Sequence, residues 1–234
     1  MVRVGLVVVL GVGLLALVGV GWAGAPAAKP AASPPKTELK EVALPAPEVK
    51  GTVSVQEALL RRRSVREFST RALTEVEVGQ LLWAAQGITN RESGARTAPS
   101  AGAIYPLTVY VVQRDGVWQY RPAGHRLRQL SIADRRAALA KAAGDRSSMR
   151  EASVVLVIAG DPKRLKERYG ARAERFLWLE AGHVAENVLL QAVALHLGAV
   201  PVGAFEDRMV AQTVGLADGQ APLYLIPVGY PVVR

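Results

Sequence analysis

Residues Arg96 to Val112 read RTAPSAGAIYPLTVYVV, and this stretch decides the fold around it. Its second half, from Leu107 onward, is rich in β-branched and aromatic residues and predicts a core strand. Its first half is the bare segment APSAG, where an ordinary loop would carry Asp, Asn or Lys. Small residues with a glycine let a backbone come close to something flat or bulky. An ordinary turn that enters a strand is the simpler interpretation, and both stay open at this point.

Helices and strands are mixed on both sides of this stretch. Upstream, Ser54 and Thr74 each stand three residues before a Glu, the capping-box pattern that opens a helix, and Gly87 is a stop signal. Downstream, Asp115-Gly116 predicts a β-hairpin and SVVLVIAG a buried strand. The stretch SIADRRAALAKAAG predicts an amphipathic helix that ends at Gly144, and a long helix is predicted from about Arg172 to Leu197. A short helix and the strand PLYLIPVGY complete the chain. The fold class predicted is α+β, with a central, mostly antiparallel sheet flanked by helices.

The composition excludes several kinds of chemistry. The 234 residues include no cysteine, so disulfides, thiolate metal sites, iron–sulfur clusters and a cysteine nucleophile are ruled out. The formal net charge of +9 suits anionic partners, but the basic runs match no nucleic-acid motif, and we predict no nucleic-acid partner. The Glu-x-x-His pattern from Glu180 to His183 stands alone, whereas di-iron sites need two such motifs with further carboxylates. We therefore predict no metal site.

The N-terminus predicts a targeting segment. Residues 1–25 carry one charge, Arg3, then an apolar run to Trp22 and a small-residue end, which is the pattern of a secretory signal peptide. The run is also close to the ~20 residues of a membrane-spanning helix, so an uncleaved N-terminal anchor is the alternative. Residues 26–51 are rich in Pro and Ala and predict a linker, followed by a folded domain over 52–234. We therefore expect the protein to be exported to the periplasm or another extracytoplasmic location. Attachment to the membrane through the N-terminus is the alternative.

Two further segments suit a ligand that combines a phosphate with a flat ring. The cluster RRRSVR places three guanidinium groups and a hydroxyl at a helix end, at Arg62, Arg63, Ser64 and Arg66. Forked arginine donors and a hydroxyl suit a phosphate, although a solvated basic helix end is an equally good interpretation. The segment PVGAF, Pro201 to Phe205, resembles APSAG in being thinned to Gly and Ala. Such bare segments offer backbone amides and close contact to a ring.

Four stretches, in this order, resemble the FMN-dependent nitroreductase family. They are RRRSVREFSTRALTEVEVGQLLWAAQGIT, APSAGAIYPLTVYVV, LEAGHVAENVLLQAVALHLGAVPVGAF and PLYLIPVGYP. Together they cover most of the chain from Val53 to Pro231. Within the family, the chain is most similar to the SagB-type, thiazole/oxazole dehydrogenase-like branch.

The resemblance implies an α+β fold in an intertwined homodimer with one FMN in each of two interface sites. Carried over residue by residue, the residues that would hold the FMN phosphate and ribityl chain are Arg62, Arg63, Ser64 and Arg66. Those that would come from the partner subunit and pack on the flavin are Pro99, Ser100, Ala101 and Gly102. Backbone N–H groups of Gly203 and Ala204 would lie near the flavin N5. Some relatives have Glu in place of Gly203, and some have a basic residue after the last strand, a place that Arg234 would take here.

The implied activity is transfer of a hydride from NAD(P)H to the flavin N5 and then to a nitro, quinone or similar acceptor, in ping-pong fashion. The resemblance requires no catalytic side-chain acid or base. Three alternatives stay open: a flavin-binding module without turnover, oxidation of a peptide azoline as in some relatives, and a basic surface-binding domain without cofactor. Because NAD(P)H is scarce outside the cytoplasm, export leaves another electron donor open as well.

Overall fold

The computed structural model describes residues 39–232. The predicted leader, residues 26–38 of the predicted linker, and Arg234 lie outside these described residues. Over the described range, none of the helices combines the length and apolar character needed to cross a membrane.

Seven helices and seven strands make up the described part of the chain. The helices are α1 Val55–Arg61, α2 Glu75–Gln86, α3 Arg136–Ala142, α4 Ser147–Glu151, α5 Lys163–Tyr169, α6 Ala173–Ala194 and α7 Asp207–Val214. The strands are β1 Glu41–Ala43, β2 Leu107–Gln113, β3 Gly116–Arg121, β4 Arg126–Ser131, β5 Val154–Gly160, β6 Gly198–Ala199 and β7 Ala221–Gly229. Single 3-10 turns lie at Ala101–Ala103 and Gly170–Arg172.

All seven strands form one sheet in the order β1-β4-β3-β2-β5-β7-β6, and every neighbouring pair is antiparallel. The predicted hairpin is confirmed, because β2 pairs with β3 across the Asp115-Gly116 turn. Strand β5 lies between β2 and β7 and is buried along its whole length. The strand PLYLIPVGY, β7, is thus also central rather than an edge.

Helices cover both faces of this sheet. In β5 the alternate residues Val154, Leu156 and Ile158 pack in one core with α2, α5 and α6, whereas Val155 and Val157 pack in a second core with α3, α4 and α7. Because successive strand side chains point to opposite faces, a strand covered on both faces is apolar throughout. The predicted α+β class with a flanked antiparallel sheet is confirmed.

Local capping signals place α2 as the sequence predicts. The Thr74 hydroxyl accepts from the Glu77 backbone N–H at 3.3 Å, and the Glu77 carboxylate accepts from the Thr74 N–H at 2.7 Å, which completes the capping box. Helix α1 has half of this arrangement, since Ser54 Oγ accepts from the Glu57 N–H at 3.1 Å. Gly87 is the C-cap of α2, as predicted.

The predicted start of the folded domain at Thr52 is wrong, because residues inside the predicted linker belong to the sheet. Strand β1 pairs with β4, and the Leu44 N–H donates to the His125 carbonyl at 2.9 Å. The Gln80 side chain accepts from the Glu48 N–H at 2.9 Å and donates to the Glu48 carbonyl at 3.0 Å. The Pro- and Ala-rich composition of this segment did not predict a strand, because the segment is stabilised by partners distant in the sequence and has no strand pattern of its own.

A chain that starts at Thr52 should be less stable than one that starts at Leu39. The shorter chain loses the β1 pairing and the paired hydrogen bonds between Glu48 and Gln80, each worth roughly 0.5–1.5 kcal/mol net. Together these predict a loss of a few kcal/mol and a melting temperature lower by several degrees. Differential scanning calorimetry of the two chains measures this, and equal melting temperatures would restore Thr52 as the boundary.

Candidate functional site

The basic cluster lies where α1 ends and the chain reaches the edge of the sheet. Arg62 is the C-cap of α1 and adopts an extended ψ of 125°, which leads the chain out of the helix. Ser64 then forms a parallel bridge with Ala199 of β6, and the Val65 N–H donates to the Ala199 carbonyl at 3.0 Å. The cluster is therefore attached to the segment that continues into PVGAF.

A cavity of about 190 Å³ brings two of the predicted segments together. Arg66 from the basic cluster lines it with Gly203 and Ala204, which are both exposed. We call it the Arg66 cavity. A Cβ placed on Gly203 would have only the Tyr224 ring nearby, at 3.8 Å, so this glycine presents open space.

The other three members of the basic cluster lie beside this cavity without lining it. Arg62 is half-buried, with its Nε 3.9 Å from a Glu186 carboxylate oxygen. Arg63 donates from Nη1 to the carbonyls of Leu60 at 2.9 Å and Arg62 at 2.7 Å, and so stabilises the end of its own helix. Ser64 is exposed. Among the described residues, the Arg66 guanidinium makes one long hydrogen bond of 3.4 Å, to the Ser64 carbonyl, so most of its donors are free at the cavity.

Sequence reasoning missed two polar residues of the Arg66 cavity. Arg146, exposed, and Ser148, 5 % exposed, line it from the segment around the start of α4. The signal in the sequence was weak: Gly144 ends a helix, and a polar loop must follow before the buried strand β5. Nothing in the sequence shows that this loop meets Gly203, since the contact depends on the tertiary fold.

The bare segment Pro99 to Gly102 forms a tight turn that packs on its own chain. Ser100 Oγ donates to a Glu180 carboxylate oxygen at 2.7 Å and accepts from the Tyr105 N–H at 2.9 Å. Gly102 has φ +61°, a left-handed conformation that favours glycine, and a Cβ there would lie 2.7 Å from an Arg168 nitrogen and 2.8 Å from the Tyr169 hydroxyl. The glycine therefore has a local structural reason, whatever else the segment contacts.

Within one described chain, this segment does not line the Arg66 cavity. Pro99 and Gly102 are exposed, whereas Ser100 and Ala101 are half-buried. That arrangement leaves an outer surface on which a ligand or a second subunit can pack. The predicted contact of these four residues with a flavin held by the partner subunit stays a prediction.

A buried polar group lies beneath the bare segment. Glu180, on α6, is 2 % exposed, and burial raises the pKa of its carboxyl, an effect opposed by the Ser100 hydrogen bond and the nearby Arg96 charge. Arg96 in turn donates from Nη1 to the Gln86 side-chain oxygen at 2.8 Å. This group fixes the position of Ser100, and through it the turn. His183 of the Glu-x-x-His pattern is exposed, and no three His, Cys, Asp or Glu side chains within residues 39–232 form a group suited to a metal.

Comparisons with known proteins agree on one family. The model of the Nitroreductase family matches residues 59–230. A protein of Methanocaldococcus jannaschii with a provisional nitroreductase name is 40% identical over 183 residues, which are 76% of this chain and 91% of that protein. A crystal structure from Ralstonia eutropha, also provisionally named a nitroreductase, matches with a TM-score of 0.75 and 28% identity, over 83% of this chain and 90% of that one.

A third similarity concerns the fold alone. The Escherichia coli microcin synthetase McbBCD complex, solved with a truncated precursor bound, contains a chain that matches with a TM-score of 0.65 and 22% identity. The match covers 74% of this chain and 70% of that one.

Proposed function

Since the chain belongs to the Nitroreductase family, whose members are oxidoreductases, we propose that it is an FMN-dependent enzyme that works in two half-reactions. A donor, NAD(P)H or another reductant, is oxidised in the first. A nitro compound, a quinone or a similar small acceptor is reduced in the second. When bound, FMN supplies the centre that accepts a hydride and passes the electrons on.

The observation that carries this proposal is the meeting of Arg66 with Gly203 and Ala204 in one cavity. A guanidinium with spare donors lies beside a glycine that presents open space, and this combination fits an anionic ligand with a flat, bulky part. The hydroxyl of Ser64 and the guanidinium of Arg62 lie on the same edge of the sheet and would add donors for a phosphate. The residues present therefore fit FMN.

The chain's own groups would bind and orient the cofactor. The backbone N–H groups of Gly203 and Ala204 donate to no other described backbone carbonyl, so they are free to donate to a ring nitrogen or oxygen. Arg63 contributes less than Arg66, since its Nη1 is used by its own helix. Arg146 and Ser148 extend the donor set beyond the residues that the sequence predicted.

Three finer points belong to the same proposal. We infer a homodimer, because the segment from Pro99 to Gly102 has an outer surface but does not reach the Arg66 cavity of its own chain. We place the chain in the SagB-type branch on the motifs quoted above, with azoline oxidation on a peptide as the alternative reaction of that branch. Export, with or without a membrane tether, rests on the pattern of residues 1–25.

The experiment that tests the proposal is an absorbance spectrum of the purified protein, followed by anaerobic titration with NADH and NADPH. We expect flavin absorbance that bleaches on addition of a donor and returns on addition of a nitroaromatic or a quinone. A colourless protein that takes up no FMN would contradict the proposal. The protein could instead bind flavin that neither NADH nor NADPH reduces and that, once reduced by dithionite, passes no electrons to the acceptors. That result would favour a flavin-binding module without turnover.

Arg66→Ala should weaken FMN binding more than any other single change in the basic cluster. Loss of a charge-assisted hydrogen bond costs roughly 1.5–3 kcal/mol, or about ten- to a hundredfold in affinity. Fluorescence titration of FMN measures the effect. Arg208→Ala removes the same charge from an exposed position on α7 and is the matched control. Equal FMN affinity in the Arg66 variant and the control would remove Arg66 from the site.

A further inference from the structure

A second basic cavity lies beyond the bare segment, between β2, β3 and the start of α5. Its volume is about 170 Å³, and we call it the Arg96 cavity. Its polar lining includes Gln86, Arg96, Arg121 and Arg164. Arg164 donates to the carbonyls of Ile104 and Tyr105, directly after the bare segment, which fixes that guanidinium at the cavity.

Arg96 has a buried donor at this cavity, Nε, that has no hydrogen-bond partner among the described residues. Among the described residues, four buried side-chain polar atoms lack a hydrogen bond, and Arg96 Nε and Gln86 Nε2 are two of them. Gln86 is 1 % exposed and accepts from Arg96, and its amide N–H₂ lies beside the Glu180 carboxylate, whose Oε1 is itself one of the four. A buried donor without an acceptor is costly, so the Arg96 Nε–H group calls for an acceptor.

The charge around the cavity is positive and is not compensated by the residues that line it. Three guanidinium groups line it, and none of its described lining residues is acidic. Burial raises the pKa of the Glu180 carboxyl and outweighs the Arg96 and Arg164 charges, which interact with this carboxyl and lower that pKa, so Glu180 compensates the positive charge only in part. Arg96 forms no ion pair among the described residues. An anion would therefore be favoured here over a neutral ligand.

Most of the remaining lining residues are apolar or aromatic, with Thr108 and Gln119 as the polar exceptions. Leu107 and Val109 of β2 and Tyr120 of β3 are at most 4 % exposed and line the cavity beside Tyr105, over whose ring the Arg96 guanidinium lies at 4.5 Å. The protein already covers these three side chains, and the half-buried Tyr105 and Pro122 supply the apolar surface that a ligand can contact. A body of carbon atoms attached to the anionic group would use both parts of the lining.

We propose that the Arg96 cavity is a binding site for a small organic carboxylate. Arg96 and Arg121 hold the carboxylate, and the Tyr105 ring and Pro122 contact the apolar body. This site is separate from the Arg66 cavity, and its ligand does not depend on FMN. Arg164 lines the cavity and also donates to the carbonyls of the residues that follow the bare segment. This position suits a pocket that recognises the acceptor or binds an effector.

The test is isothermal titration calorimetry, in which benzoate is added to the full chain. It is run in the presence of saturating FMN and again without added FMN. We expect saturable binding in both conditions. Arg121→Gln, at an exposed position, should weaken it about tenfold or more, whereas Arg208→Gln, with the same charge change, should leave it unchanged. Arg96→Gln should weaken it further, with circular dichroism as the check that the variant folds.

Several results would overturn the proposal. Absence of saturable benzoate binding, or equal losses in the Arg121 and Arg208 variants, would remove the site. Inorganic phosphate that binds as tightly as benzoate would contradict the organic class of ligand. Loss of benzoate binding in Arg66→Ala but not in Arg121→Gln would place the ligand in the Arg66 cavity. Because the titration is also run without FMN, a failure of FMN binding would contradict only the proposed cofactor. Benzoate binding in the absence of FMN tests the Arg96 cavity separately.

Discussion

Gly203→Leu should lower the affinity for FMN by about tenfold or more while the FMN-free protein melts at nearly the same temperature. A Cβ at this position meets only the Tyr224 ring, at ordinary contact distance, and Gly203 is exposed, so the folded chain accepts the side chain. The leucine would instead occupy the open space beside Arg66. Overpacking of a binding site costs typically ~1–3 kcal/mol, and about 1.4 kcal/mol is a factor of ten.

Gly51→Leu is the matched control for this substitution. Gly51 is exposed, has no heavy atom within 4 Å of a built Cβ, and lies outside the Arg66 cavity. FMN dissociation followed by fluorescence and thermal melting of the apoprotein give the two readouts. Unchanged FMN affinity in Gly203→Leu would show that the cofactor does not lie against this segment. A large drop in melting temperature without FMN would show that the segment is packed more tightly than its contacts indicate.

Gly102 is a poorer probe of the same hypothesis, although the sequence made it the obvious one. Its positive φ and its close approach to Arg168 and Tyr169 mean that any side chain there strains the turn from within its own chain. Loss of FMN from a Gly102 variant would therefore follow from a displaced turn as readily as from a blocked ring. The contrast with Gly203 shows that two equally bare segments can be bare for different reasons.

The parts of the fold that the sequence predicts are those with strong local signals. The run SVVLVIAG is apolar throughout because β5 is covered on both faces, and the capping box at Thr74 operates within four residues. Strands β1 and β4 were missed. Strand β4 alternates buried Leu127 and Gln129 with the exposed Arg128, and its charged residues break the apolar pattern that predicts a strand. Strand β1 has three residues, and its partner strand lies far along the chain.

The candidate site also divides into residues that local sequence signals predict and contacts that only the tertiary fold creates. The residue types at Arg66 and Gly203 predict a phosphate-bearing ring, and the structure brings these two positions together. What joins them is the bridge from Ser64 to Ala199, a pairing between distant segments that no local pattern encodes. Arg146 and Ser148 enter the cavity through the packing of α4 and were beyond sequence reasoning for the same reason.

The buried carboxyl of Glu180 should control how firmly the bare segment is held. Glu180→Ala removes the acceptor of the Ser100 hydroxyl and leaves a buried gap, and we expect a loss of roughly 2–4 kcal/mol in the free energy of unfolding. Glu180→Gln keeps an oxygen that can accept from Ser100 and should lose far less. Hydrogen exchange of residues 99–105 should rise in the alanine variant and stay near the native rate in the glutamine variant. Equal exchange in both variants would show that Glu180 is a packing residue only.

The glutamine variant also separates the charge of Glu180 from its hydrogen bond. Because burial raises the pKa of this carboxyl in the folded protein, the folded state holds a proton that the unfolded chain releases above the ordinary glutamate pKa of about 4.3. Its contribution to stability is therefore complete below that pH and is lost as the pH rises through the raised folded pKa. Glutamine does not titrate, so the stability of Glu180→Gln relative to the native chain should increase from about pH 4 toward neutrality, as measured by denaturant unfolding. Glu174→Gln, which removes an exposed carboxyl from the same helix, is the control. A difference that stays constant with pH would mean that the Arg96 charge and the Ser100 hydrogen bond offset the effect of burial on Glu180 completely, and the positive character assigned to the Arg96 cavity would then be wrong.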